Sequence, residues 1–116
     1  MIYFECYSDQ AFLTGIGIPS KNMEHSFSKG NVCNKLQKNL SSIGLVDEDP
    51  NEIQPKFIRY LIEAQRIVYE DQYLTLFSDP KTKNKLILIR IDQASIFGRI
   101  RINLFLVFGS ENKVRY

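Results

Sequence analysis

Gly44-Leu45-Val46-Asp47-Glu48-Asp49-Pro50 is the stretch on which the reading of this chain turns. A short apolar run, from Ile43 to Val46, leads straight into three acids and a proline. Apolar runs of this length, bounded by turn residues, form buried strands. Acids just past the end of such a strand are held at the edge of a sheet, where open α/β folds take their ligands. Fold and candidate site are therefore both expected to centre here.

Before this stretch, Val32, Leu36 and Leu40 recur every four residues with Cys33 beside them, and Lys35, Lys38 and Asn39 fall on the other side. That is an amphipathic helix. Ser28-Lys29-Gly30-Asn31 supplies its turn and start, and Asn22 to Ser26 is a short second strand. Met1 to Cys6 is a compact apolar run with one acid, Glu5, and makes the first strand. Ser8 is the expected N-cap of a short helix burying Phe12, Leu13 and Ile16. Gly15 and Gly17 stop that helix, and Pro19 forbids its resumption.

After the acidic stretch, Pro55 opens a helix whose buried stripe is Phe57, Leu61, Ala64 and Val68, widened by Ile58 and Ile62. Tyr73 to Phe77 and Lys85 to Ile91 are rich in strand-forming residues and flank a polar turn, so they form a hairpin or adjacent strands. Asp92 to Arg101 is expected to be helical, and Arg99 to Phe108 alternates like a final strand. The alternation of strands and helices predicts one α/β domain over residues 1–116, a three-layer sandwich with a mainly parallel sheet.

With 116 residues, 44% of them hydrophobic and 24% charged, the chain fits one folded domain. A net charge of +2 makes no general electrostatic case for nucleic acid, although it permits a local basic patch. The cysteines, Cys6 and Cys33, lack zinc-site spacing and are expected as free thiols in a reducing compartment. No apolar run reaches membrane-spanning length, and the N-terminus lacks the features of a signal peptide, so a cytoplasmic location without membrane contact is expected.

Glu5 ends the first strand, and Asp47 and Asp49 end the third. If those strands are neighbours, the three carboxylates meet at one edge, and Asp9 in the first helical turn makes a fourth acid. Clustered carboxylates favour a hard cation, Mg²⁺ or Mn²⁺, which leaves positions open for phosphate oxygens. Each acid also has a structural reading. Asp49-Pro50-Asn51-Glu52 makes a helix start with Asp49 as N-cap, Asp9 complements a helix dipole, and Glu5 pairs with a lysine or arginine. His25, the single histidine, falls at the same edge and is either structural or a proton-transfer group. Lys29 and Gly30 open a helix whose amides would hold a phosphate, unless Ser28 simply caps it. Lys56, Arg59, Lys81, Lys83 and Lys85 are candidate contacts to a nucleic-acid backbone or plain solvated charges. Tyr3, Phe4, Phe57, Tyr60, Tyr69, Tyr73, Phe77 and Phe105 are spaced like core residues, not like base-stacking platforms.

Glu5-Cys6-Tyr7-Ser8-Asp9 after one strand and Asp47-Glu48-Asp49 after a later one resemble the TOPRIM domain of topoisomerases, primases and related nucleases. The likeness is best over residues 1–50 and extends more loosely to about residue 91. In particular, the chain resembles small stand-alone TOPRIM-like proteins. The resemblance implies a TOPRIM-like, Rossmann-like fold, with Glu5 as general acid/base and Asp47 and Asp49 as Mg²⁺ ligands. Asp9 matches the further acid of the first motif. Cys6 stands where the family often has glycine, and Pro50 directly follows the acid pair. The expected activity is metal-assisted phosphodiester hydrolysis on DNA or RNA, and a protein partner or homodimer is compatible with it. The alternatives are a non-catalytic module of the same fold that binds metal, nucleic acid or protein, and a receiver-like signalling domain. The last would want an acid pair after the first strand, which Tyr7-Ser8 does not supply.

Overall fold

The computed structural model describes residues 1–15, 17–48 and 52–90. Asp49 and the expected helix and strand beyond Asp92 lie outside the described residues. Strand β1 (Ile2–Phe4) leads through helix α1 (Tyr7–Gly15) and a 3-10 turn at Ser20–Asn22 to β2 (Met23–His25). Helix α2 (Lys29–Lys38) then leads to β3 (Ile43–Asp47), and α3 (Lys56–Glu63) to β4 (Ile67–Glu70). Strands β5 (Leu74–Asp79) and β6 (Asn84–Ile89) complete the described elements.

These strands form one mixed sheet in the order β2-β1-β3-β6-β5-β4. β2, β1, β3 and β6 run parallel, while β5 is antiparallel to both β6 and β4. The arrangement is Rossmann-like and mostly parallel, as the alternation of elements predicts, and the expected hairpin is β5–β6. One face of the sheet packs Ile2, Phe4, Leu45 and Ile87 against Phe12 and Leu13 of α1. The other packs Tyr3, Val46, Leu86 and Phe77 against Val32, Cys33 and Leu36 of α2 and Ile58 and Leu61 of α3. Burying each large apolar side chain contributes about 1.5–3 kcal/mol, so both faces are needed to hold three layers together. α2 lies directly on the β3 backbone: a Cβ at Gly44 would come within 2.8–2.9 Å of Leu36, Leu86 and Val32.

Local stop signals set the connections. At the end of α1 the amide of Gly17 donates to the Thr14 carbonyl at 3.1 Å and that of Ile18 to the Leu13 carbonyl at 3.0 Å, with Gly17 at φ +97°. This is a glycine-terminated helix end, as expected. α1 begins at Tyr7, so Cys6 and not Ser8 stands at its N-cap position. α2 ends before Leu40, which is exposed and does not extend the buried stripe.

The largest correction concerns α3. It begins at Lys56 behind Pro55, so Asp49 is not its N-cap, and it ends at Glu63 instead of running on to Val68. The Gln65 amide donates to the Ile62 carbonyl and the Arg66 amide to the Leu61 carbonyl, with Gln65 at φ +56°. That is the same stop motif with glutamine in the left-handed position, where no glycine announces it. The released chain forms β4, an edge strand whose four residues are all exposed.

Candidate functional site

The carboxyl ends of β1, β2, β3 and β6 share one edge. α1 carries the chain from β1 to β2 over one face, and α2 carries it from β2 to β3 over the other. The winding direction reverses between β1 and β3, and a crevice opens at such a reversal. Glu5 and Asp47 flank it.

β1 stops at Phe4, opposite Leu45, and the chain turns away into α1. The Asp47 amide therefore lacks a ladder carbonyl on that side, and Glu5 Oε1 accepts it at 3.0 Å. The carboxylate thus closes the end of the β1–β3 ladder. Among the described residues a backbone amide takes the place of the expected lysine or arginine partner. Asp47 follows Val46 of the α2 face, so the period-two rule sets its side chain on the α1 face.

Asp9 is buried, and its Oδ2 accepts the Cys6 amide at 3.2 Å and the Cys6 thiol at 3.3 Å. An acid at the third helical position reaching back to the N-cap amide is half of a capping box. Asp9 therefore serves the start of its own helix. Among the described residues no three His, Cys, Asp or Glu side chains gather to hold a metal ion.

His25 ends β2, opposite Phe4. Its Nε2 donates to the Glu5 carbonyl at 3.0 Å, and its buried Nδ1 finds no partner among the described residues. Phe4 stacks on the imidazole with centroids 5.3 Å apart and planes 10° apart. Tyr7 and Phe27 close on it at 4.2 and 4.0 Å. Neither ring stands out in the sequence, because no periodic pattern includes either one. Phe27 sits at φ +71°, a region that bulky side chains rarely adopt.

Lys29, the first residue of α2, is only 6% exposed, and its ammonium lies 3.5 Å from Glu52 Oε2. One turn on, burial pushes the Cys33 thiol up to about 11, with Lys29 opposing and Glu5 adding to the rise. Ser28 caps the helix through its Oγ, which accepts the Asn31 amide at 3.1 Å, as the capping reading has it. The amides of Lys29 and Gly30 precede the first intrahelical bond, Val32 to Ser28. A Cβ on Gly30 would touch nothing, so packing does not require glycine there.

Arg90, just past β6, is the organiser that the sequence did not flag. It meets Glu70 Oε2 at 2.6 Å, Glu48 Oε2 at 3.5 Å and the Asp71 carbonyl at 2.8 Å, tying the ends of β3, β6 and β4 together. The Arg90 hydrogen bond, and then that of Thr75, holds the Glu70 carboxyl below its usual range. Lys81 and Lys83 lie in the β5–β6 turn and Lys85 at the start of β6, at the opposite edge of the sheet from this site. No helix of the described residues is long and apolar enough to cross a membrane. The chain matches no family model, no curated protein and no solved structure.

Proposed function

We propose that this chain is a TOPRIM-type domain acting on nucleic-acid phosphodiesters with Mg²⁺ or Mn²⁺ at the β1–β3 crevice. The observation that carries the reading is the Glu5 carboxylate lying at the winding reversal, bonded to the amide of Asp47. Those are two of the residues to which the motif resemblance assigns the chemistry. Two carboxylates suit Mg²⁺, which typically takes one or two and fills its remaining positions with water and phosphate oxygens. When bound, the metal would supply charge neutralisation at the phosphate and a water activated for attack. Glu5 would hold or accept a proton there, and the bond from His25 to the Glu5 carbonyl keeps that segment in place. The α2 amides and Lys29 would receive a phosphate oxygen.

Calorimetric titration of Mn²⁺ and Mg²⁺ into the wild-type chain and Asp47→Ala tests the metal part. Saturable binding that is lost in the variant supports it, and binding indifferent to Asp47 refutes it. A plasmid-nicking assay on wild type and Glu5→Gln tests the chemistry. The second reading, a non-catalytic binding module of the same fold, is favoured by the commitment of Asp9 to its helix cap. Metal binding without cleavage of any DNA or RNA form would establish it.

A further inference from the structure

Tyr7 and Phe27 are 67% and 70% exposed, more than any other aromatic side chain among the described residues. Both are tilted against His25, which itself stacks on the buried Phe4. Phe4, 1% exposed, lies beneath His25, and the two outer rings close on the imidazole. Each ring is fixed by a different element: Phe4 by β1, Tyr7 by the first position of α1, His25 by the end of β2, and Phe27 by the β2–α2 connection. The imidazole is anchored through the bond from its Nε2 to the Glu5 carbonyl.

Folding alone does not account for Phe27. A large apolar ring left mostly in water contributes little to the core. The φ of +71° adds backbone strain that asparagine or glycine would relieve. The arrangement instead presents two largely exposed aromatic rings at the carboxyl edge of the sheet. It is not built as an open cage for a cation, because Phe4, Tyr7 and Phe27 each already pack against the imidazole. A flat partner stacked on the outside is what remains. The α2 N-terminus follows directly, with the Lys29 and Gly30 amides unpartnered among the described residues and the buried Lys29 ammonium 3.5 Å from Glu52. An aromatic face next to an anion-seeking helix start matches a base followed by its phosphate.

We infer that Tyr7 and Phe27 form a stacking platform for unpaired bases, with the adjoining phosphate received at the start of α2. The inference rests on the nucleic-acid part of the function proposed above and is independent of its metal.

The test is fluorescence anisotropy with a labelled single-stranded oligothymidylate, in EDTA so that no divalent metal contributes. The wild type is compared with Tyr7→Ala, Tyr7→Phe and Phe27→Asn, the last chosen because asparagine accepts the left-handed backbone. Loss of a stacked base corresponds to about a 5- to 150-fold weakening. That loss is expected for Tyr7→Ala and Phe27→Asn, with Tyr7→Phe close to wild type. If the wild type binds the strand and both ring-removing variants bind equally well, the platform is refuted while the nucleic-acid reading stands. If the wild type binds no strand, the platform and the nucleic-acid reading fall together, and the exposed rings become a docking surface for protein.

Discussion

Replacing Glu5 separates a structural duty from a chemical one. Its Oε1 accepts the Asp47 amide at 3.0 Å, where β1 has run out of backbone to offer β3. A hydrogen bond to a charged group contributes about 1.5–3 kcal/mol and a neutral one about 0.5–1.5. Glu5→Gln keeps a carbonyl oxygen at the same reach and gives up only the charge, a loss of about 1 kcal/mol. Glu5→Ala leaves the amide without its acceptor, a loss of about 2–3 kcal/mol. For a chain of 116 residues, each kcal/mol corresponds to roughly 3–5 °C in Tm. Thermal unfolding followed by circular dichroism in EDTA should therefore rank wild type, Gln and Ala in that order. The Ala variant should fall two to three times as far as the Gln variant. Repeating the melts in Mg²⁺ isolates the second duty, since a ligand at a hundred times its Kd adds about 2.7 kcal/mol to the stability of whatever binds it. Wild type should gain that increment and Glu5→Gln should not. Equal losses for Gln and Ala, or no loss for either, would refute the ladder-closing role. A metal-induced rise retained in Glu5→Gln would remove Glu5 from the ligand set.

Two further perturbations probe the scaffold. Asn84 is buried; its Oδ1 accepts the Ser42 amide at 2.8 Å and its Nδ2 donates to the Leu36 carbonyl. Asn84→Ala leaves both backbone groups unpaired and should destabilise by about 2–5 kcal/mol in urea unfolding; a loss below about 1 kcal/mol would show that water replaces the side chain. Cys33, pushed up to about 11 by burial, should resist alkylation at pH 8 until the chain is unfolded. Cys33 modification in the native protein at the rate seen in urea would contradict its burial.

Much of the fold was legible because its signals are local. The four-residue spacing of Val32 and Leu36, the glycine stop at Gly17, the cap at Ser28 and the apolar run at Ile43 all act within one or two turns of chain. β4 was not legible, because Val68 continues the spacing set by Phe57, Leu61 and Ala64. Only the left-handed Gln65 breaks the helix, and glutamine carries no stop signal. At the site, the sequence placed Glu5, Asp47 and His25 at one edge, and the structure has them there. It also offered Asp9 two roles, and the bonds to Cys6 show it serving the helix start. Arg90 looked like the tail of a strand, because its importance comes from Glu48, Glu70 and Asp71, which are distant in sequence.

The sequence by itself determined an α/β chain with acids at strand ends, since periodicity and turn chemistry are properties of neighbouring residues. The tertiary structure decided that β1 lies between β2 and β3, and so that Glu5 faces the amide of Asp47 across the winding reversal. It also gathered Phe4, Tyr7 and Phe27 around one imidazole. Strand order and ring contacts depend on burial shared between segments far apart in the chain, and no local pattern encodes that.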